Sequence, residues 1–396
     1  MTNFSKDIDI CTHFAEDSSE YFGAVTPPIV QTSLFAHPEA QLFAQKLATE
    51  REHYIYSRGN NPTVRILEQK LAALEMGESC KCFGSGMGAI SATLFTLLNA
   101  GDHILFINNI YGPALAYAET LKKFNISHDI IFIDETADIK THIKDNTRII
   151  YVESPSTHNM QVLDLKAVAK IAQAHKILSI IDNTWATPIF QKPLTLGIDI
   201  VIHSCSKYIG GHSDVIAGAV IAKHKIIDQI FEIGHQLNGA ALSPFDAWLL
   251  IRGLRTLPVR MLQHQKSAKA IITFLKNHPK VAKVNHPFAL DSYKEDENQQ
   301  LKGVSSLMSV ELKINPNHNN NHNAFEQLTS FANALKLFQI GVSWGGFESL
   351  IIIPNNNHNQ LALEKSHISL NLVRLYIGLE DSDMLIEDLT CAFTVI

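Results

Sequence analysis

Between residues 61 and 252 the chain alternates between two hydrophobic periods. Thr63 to Met76 places Leu67, Leu71 and Leu74 at helical spacing, so one face of a helix turns inward. Short apolar runs recur after it: Cys80 and Cys82 as alternate residues of a strand, then His103–Ile107, Asp129–Ile133, Arg148–Val152, Ile177–Ile181 and Asp199–Ile202. Helical patterns separate them, among them a stretch opened by the glycines of 84–88 and running to Leu98, and another from Leu165 to His175. Strands alternating with helices predict a largely parallel sheet covered by helices, an α/β fold. The helical stretch Ala247–Leu257 leads into a mixture of helix and strand at Val259–Asn277, Ser306–Ile314, Ala324–Leu337 and Leu350–Ile353. Residues 1–60, with Pro27, Pro28 and Pro38, are irregular and read as an extended arm. The expected division is an arm over 1–60, a large α/β domain over 61–252 and a C-terminal α+β domain over 253–396.

Composition narrows the class. With 396 residues and 46% apolar content the chain can bury a large core in two domains. A net charge of −6 offers no general attraction for nucleic acid or acidic membranes. No apolar run is long enough to span a bilayer, and Met1 to Asp7 lacks a basic segment leading into an apolar one, so neither a membrane span nor a secretion signal is expected. Five cysteines form an odd, sparse set, which points to a reducing cytoplasm. Cys80 and Cys82 are too close for ordinary zinc-ligand spacing. The Asn/His tracts 315–323 and 355–359 read as surface loops, so no metal site is expected.

Chemistry concentrates after the strands. Ser204-Cys205-Ser206-Lys207-Tyr208-Ile209-Gly210-Gly211 follows the apolar run at 198–202 and places an amine at a strand's carboxyl end, where α/β sheets bind ligands. Desolvated there, Lys207 is a candidate nucleophile for a Schiff base with a carbonyl or an aldehyde cofactor; the plainer reading is a surface lysine in a loop. Asp182 ends the preceding apolar run, where it can pair with the pyridinium nitrogen of pyridoxal 5'-phosphate or simply cap a turn. Gly84-Ser85-Gly86-Met87-Gly88 opens a helix, so the backbone N–H groups of Gly86 and Met87 can receive a phosphate, with Ser204 and Ser206 adding hydroxyls. Alone this cluster is a weak signal, and a tight turn explains it equally. Tyr111, Glu153, Asp182 and Ser204 to Lys207 all follow predicted strands, so a parallel sheet would gather them along one edge.

Those residues, together with others, resemble the Cys/Met metabolism family of pyridoxal-phosphate enzymes, of the aspartate aminotransferase fold type. The cystathionine β-lyase branch is the most similar. Matching segments run through most of the chain: Gly23-Ala24-Val25-Thr26-Pro27-Pro28-Ile29, Tyr56-Ser57-Arg58-Gly59-Asn60, Tyr111-Gly112, Glu153-Ser154-Pro155, Arg252-Gly253-Leu254-Arg255, Ser343-Trp344-Gly345-Gly346 and Val373-Arg374-Leu375-Tyr376. The resemblance implies a mostly parallel seven-stranded sheet in the large domain. It also implies that Lys207 carries the cofactor and moves protons, and that Tyr111 stacks on the ring and takes a proton from the incoming amine. Arg374 would grip a substrate carboxylate beside Ser343 and Trp344. Tyr56 and Arg58 would reach the phosphate in a neighbouring subunit, within a homotetramer built as a dimer of dimers. The substrate would be a small amino acid.

The implied reaction is α,β-elimination of L-cystathionine to homocysteine, pyruvate and ammonia, a trans-sulfuration step of methionine biosynthesis. Cystathionine γ-lyase or γ-synthase activity is the alternative on the same scaffold. Trp344 resembles the β-lyase pattern, and Ser156-Thr157-His158 departs from the γ-lyase form. Pro113 stands where methionine γ-lyases carry cysteine, while Ala116 replaces an acidic residue of some β-lyases. A nicotinamide dehydrogenase would give Lys207 no role, and a non-enzymatic binding protein would leave Tyr111, Asp182, Lys207 and Arg374 unexplained.

Overall fold

The computed structural model describes residues 3–291, 293, 299–314 and 324–396. Seven strands make the large sheet: β1 (Ser79–Phe83), β2 (His103–Ile107), β3 (Ser127–Ile131), β4 (Thr147–Glu153), β5 (Leu178–Asp182), β6 (Ile200–Ser204) and β7 (Gly218–Ala222). Their order is β1-β7-β6-β5-β4-β2-β3, and β7 alone runs against its neighbours. Helices cover both faces, so both are apolar: Leu71, Leu105, Ile150, Ile181 and Val201 share one core, while Phe83, Phe106, Ile149, Ile180 and Ile202 share the other. The alternation of apolar runs and helices in the sequence is thus that of a mixed, mainly parallel sheet.

A second sheet of five strands, β8 (Val281–Asn285), β9 (Leu307–Leu312), β10 (Gln339–Ile340), β11 (Leu350–Ile352) and β12 (Leu372–Tyr376), has the order β10-β11-β12-β9-β8. It packs through Met308, Val310, Val373 and Leu375 against a separate apolar core. Joining the halves is one helix, Pro244–Asn277, with Pro258 inside it. The segments expected separately at Ala247–Leu257 and Val259–Asn277 are therefore continuous, and residues 252 and 253 lie within a helix rather than a linker. Proline removes one helical hydrogen bond, and Arg260 reinforces the interrupted turn by donating from Nη2 to the Gly253 carbonyl at 2.8 Å and from Nε to Thr256 Oγ1 at 3.0 Å.

Other departures have equally local causes. β7 was not anticipated, because Gly218-Ala219-Val220-Ile221-Ala222 offers little side-chain pattern and is covered on both faces. The first sixty residues are not uniformly irregular: Asn3–Thr12 and Ala40–Ala48 are helices. The first of these is docked by buried polar ties, Lys70 Nζ donating to the Ile10 carbonyl at 2.9 Å and Lys192 pairing with Asp7 at 2.9 Å. The 355–359 tract is a web of asparagine turns with Asn355 itself buried, its Nδ2 donating to the Leu370 carbonyl at 3.1 Å. The 315–323 tract lies outside the described residues. No helix among the described residues is long and apolar enough to cross a membrane.

Lys81, in the middle of β1, is 1% exposed and is held by Glu68 at 3.0 Å and the Gly59 carbonyl at 2.6 Å. Removing one member of such a pair strands the other charge in the core, which typically costs about 3–5 kcal/mol. Lys81→Met is expected to lower the urea-unfolding stability by about that amount, whereas a value near zero would contradict a stabilising role for this pair.

Candidate active site

Parallel strands in register deliver their last residues side by side. Glu153 and Asp182 are direct partners across β4 and β5, and Ser204 ends β6 next to them. Lys207 follows in a turn fixed by its own N–H to the Ser204 carbonyl at 3.2 Å and by the Gly211 N–H to the Lys207 carbonyl at 2.8 Å. These ends open into a cavity of about 870 Å³ whose wall includes Gly86, Met87, Tyr111, Asp182, Ser204, Ser206, Lys207, Ser343, Trp344 and Arg374. Ten of the twelve residues singled out from the sequence therefore meet in one place. Tyr56 and Arg58 do not: they lie outside this cavity, with the Arg58 guanidinium 5.4 Å from the Tyr56 ring and its Nε donating to Gln236 Oε1 at 3.0 Å.

Arg374 sits at the centre of β12 in the second sheet and reaches the cavity from the other side. Its Nη2 points at the Ser343 carbonyl at 3.4 Å, while Lys207 Nζ donates to Ser343 Oγ at 2.7 Å. Ser343 thus touches both the amine and the guanidinium. The backbone here is held in the left-handed region, with φ of 81° at Ser343 and 90° at Gly345. A Cβ on Gly345 would lie 2.7 Å from the Lys207 Cα, so glycine is what lets this loop rest on the lysine turn. Trp344 packs edge-on against Tyr208 at 5.5 Å and places its ring 5.9 Å from Lys207 Nζ.

Electrostatics follow from this crowding. Burial pushes the Lys207 amine below the usual lysine range and the Arg374 charge pushes it further, against the opposing pull of Asp182. Arg374 is itself lowered to about 10 by burial. Burial raises the Asp182 carboxyl, while hydrogen bonds from Thr184 and the nearby His203 and Lys207 hold it down. Glu153 is pushed well up by burial and by Asp182, and it accepts from the Tyr111 N–H at 2.7 Å, which fixes that tyrosine at the rim. Burial and Arg374 lower His158 to about 4, so this cavity residue is a neutral imidazole.

A helix start lies at one end of the cavity. Ser85 caps the helix Gly86–Leu97 by accepting from the Gly88 N–H at 2.8 Å, which leaves the Gly86 and Met87 amides facing outward. A Cβ on Gly86 would meet Ser204 Oγ at 3.1 Å, so the lysine strand closes directly over the helix start. Ser206 is already engaged with Ala217, donating to its carbonyl at 3.2 Å and accepting from its N–H at 2.9 Å. An amine, a carboxylate across from it, and outward amides with a free hydroxyl between them fit the aldehyde, ring nitrogen and phosphate of pyridoxal phosphate. Thr184 and Gly218 belong to the same construction and were not singled out from the sequence. Thr184 stands two residues after Asp182 and donates to it through both N–H and hydroxyl. The Gly218 position would drive a Cβ to 2.3 Å from the Ser85 carbonyl oxygen.

Because Arg374 favours the neutral amine, capture of pyridoxal phosphate by cofactor-free protein should accelerate with rising pH around a midpoint below lysine's ordinary 10.5. Arg374→Ala removes the repelling charge, so its midpoint is expected at higher pH. Stopped-flow absorbance across a pH series checks this, and an unmoved or lower midpoint would contradict the assigned sign.

Comparison with known proteins agrees with this geometry. Residues 10–394 match the model of the Cys/Met metabolism PLP-dependent enzymes. An L-methionine γ-lyase of Fusobacterium nucleatum is 40% identical over 93% of both chains, and a cystathionine β-lyase of Lactococcus lactis is 38% identical over 93% of both. A putative O-acetylhomoserine (thiol)-lyase of Campylobacter jejuni, solved with N'-pyridoxyl-lysine-5'-monophosphate in its chain, superposes with a TM-score of 0.86 and 30% identity over 98% of this chain and 99% of that one. With its fold, its lysine and its cofactor thus accounted for, this chain belongs to the pyridoxal-phosphate-dependent enzymes of Cys/Met metabolism.

Proposed function

We propose that the chain is a carbon–sulfur lyase that cleaves L-cystathionine by α,β-elimination, releasing homocysteine, pyruvate and ammonia. The observation that carries this reading is the convergence of Lys207 and Arg374 on Ser343, which sets a carboxylate anchor beside a proton-carrying amine. An α-amino acid held there by its carboxylate presents its Cα to Lys207. When bound, pyridoxal phosphate supplies the sink for the electrons left at Cα. Arg374 binds the substrate carboxylate through its guanidinium fork. Lys207, biased toward its neutral form, takes the Cα proton and returns one to the departing sulfur. Asp182 would hold the cofactor's ring nitrogen protonated, and Gly86, Met87 and Ser204 would hold its phosphate. Tyr111, pinned at its backbone by Glu153, lines the same cavity and would stack on the cofactor ring.

Cleavage at Cβ is favoured by Trp344, by Pro113 and by the Ser156-Thr157-His158 segment, all of which line the cavity and differ from the γ-lyase forms. A second reading, γ-elimination from a methionine-like substrate, draws on the γ-lyase relatives and on an apolar rim where Val342 is 75% and Ile216 68% exposed. Five free cysteines suit a reducing cytoplasm. The arm exposes Phe22, Val25, Leu34 and Tyr56, an apolar surface that suits burial in a homotetramer in which Tyr56 and Arg58 serve another copy's phosphate.

Product analysis with L-cystathionine tests the choice: pyruvate with homocysteine is expected, and 2-oxobutyrate with cysteine would assign the γ-reaction instead. Arg374→Ala is expected to raise KM for the amino acid by about 10- to 100-fold, the worth of a charge-assisted hydrogen-bond pair. An unchanged KM would remove Arg374 from substrate binding.

A further inference from the structure

Beneath the cavity floor, Glu75 ends the helix Pro62–Glu75 and is completely buried. Its Oε1 takes two partners, His203 Nε2 at 2.6 Å and Asn183 Nδ2 at 2.8 Å. These come from two different strand ends: Asn183 directly follows Asp182 after β5, and His203 directly precedes Ser204 on β6. One carboxylate oxygen therefore ties together the neighbours of the ring-nitrogen partner and of the phosphate hydroxyl.

The tie continues into the cavity. The Asn183 N–H donates to the Ile202 carbonyl at 3.0 Å, and the Ser204 N–H donates to Thr184 Oγ1 at 2.8 Å. Thr184 in turn donates from its N–H to Asp182 Oδ1 at 3.0 Å. Gln191 secures the far side, with Nε2 donating to Asn183 Oδ1 at 2.9 Å and to the Ser154 carbonyl at 2.8 Å. Nothing in the elimination chemistry uses Glu75 or His203, and apolar contacts of Leu71, Leu74 and Val201 already serve packing there. Burying a carboxylate is costly, so its retention calls for a role beyond filling space.

Position supplies that role. Asp182 faces Glu153 and Tyr151 on β4, and Lys207, Cys205 and His203 on or after β6. Glu153 opposes its ionisation, while His203 and Lys207 support it. Thr184, which bonds Asp182 directly and is itself held by the Ser204 N–H, and His203, held by Glu75, both stand on the strand ends that Glu75 ties together. We propose that Glu75, acting through His203 and Asn183, is a positioning residue for the cofactor: it fixes the ends of β5 and β6, and with them the Asp182 carboxylate and the Ser204 hydroxyl that would meet the ring nitrogen and the phosphate. This holds whichever carbon–sulfur bond the enzyme cleaves.

The test reads cofactor binding rather than turnover. Apoprotein is titrated with pyridoxal phosphate by absorbance, and its thermal midpoint is recorded alongside. Glu75→Gln is expected to weaken binding by about tenfold or more, because an amide oxygen holds His203 and Asn183 more weakly than a carboxylate oxygen does. Glu68→Gln, which disturbs the buried pair with Lys81 under the same sheet, is expected to lower the midpoint while leaving affinity within about twofold. Asp182→Asn and the double variant complete a cycle: if Glu75 acts through Asp182, adding Glu75→Gln to Asp182→Asn costs far less than it does alone. Should Glu75→Gln not fold, His203→Gln takes its place in every arm. Unchanged affinity, an equal loss in Glu68→Gln, or full additivity in the cycle would each overturn the proposal.

Discussion

Two cations that repel one another lie at the centre of this molecule. Lys207 comes from the end of the large sheet and Arg374 from the middle of the small one, and Ser343 touches both. In water their repulsion would be screened; in this cleft burial lowers the affinity of the lysine for its proton, and the Arg374 charge lowers it further. Under the proposed function, the guanidinium that would anchor a substrate carboxylate also primes the amine, and a bound carboxylate would relieve the repulsion as it arrives.

Holding that arrangement requires the two sheets to be locked together. Tyr208, next to the lysine, meets Ser306 at 3.1 Å and accepts from its N–H at 3.0 Å. Tyr376, two residues past the arginine, donates to the Gly346 carbonyl at 2.6 Å, in the loop that carries Ser343 and Trp344. Arg260 adds a 2.7 Å bond to the Tyr208 carbonyl from the long connecting helix. Lysine turn, arginine strand and substrate loop thus share one buried polar network, in which every tie restrains the position of the next.

Legibility in the sequence followed the range of the interactions. Strands such as His103–Ile107 and the helix Leu165–His175 were readable because periodicity is a local property. Lys207, Asp182 and the Gly86-Met87 helix start were readable because amine, carboxylate and glycines after strands have few other uses together. Arg374, Ser343 and Trp344 came from resemblance alone, since an arginine inside an apolar strand carries no local sign of what it faces. Pro258 reads as a break but lies inside one continuous helix, where Arg260 adds side-chain bonds to the Gly253 carbonyl and Thr256 in the same turn.

By itself the sequence determined the alternating α/β architecture, the placement of reactive residues after strands, and the kinship with pyridoxal-phosphate enzymes, because each is written in neighbouring residues. Tertiary structure decided which strand ends adjoin, that Arg374 meets Lys207 across Ser343, and that Glu75 reaches Asn183 and His203 from more than a hundred positions away. Those relations depend on strand order and sheet docking, which arise from burial of whole surfaces rather than from any short run of residues.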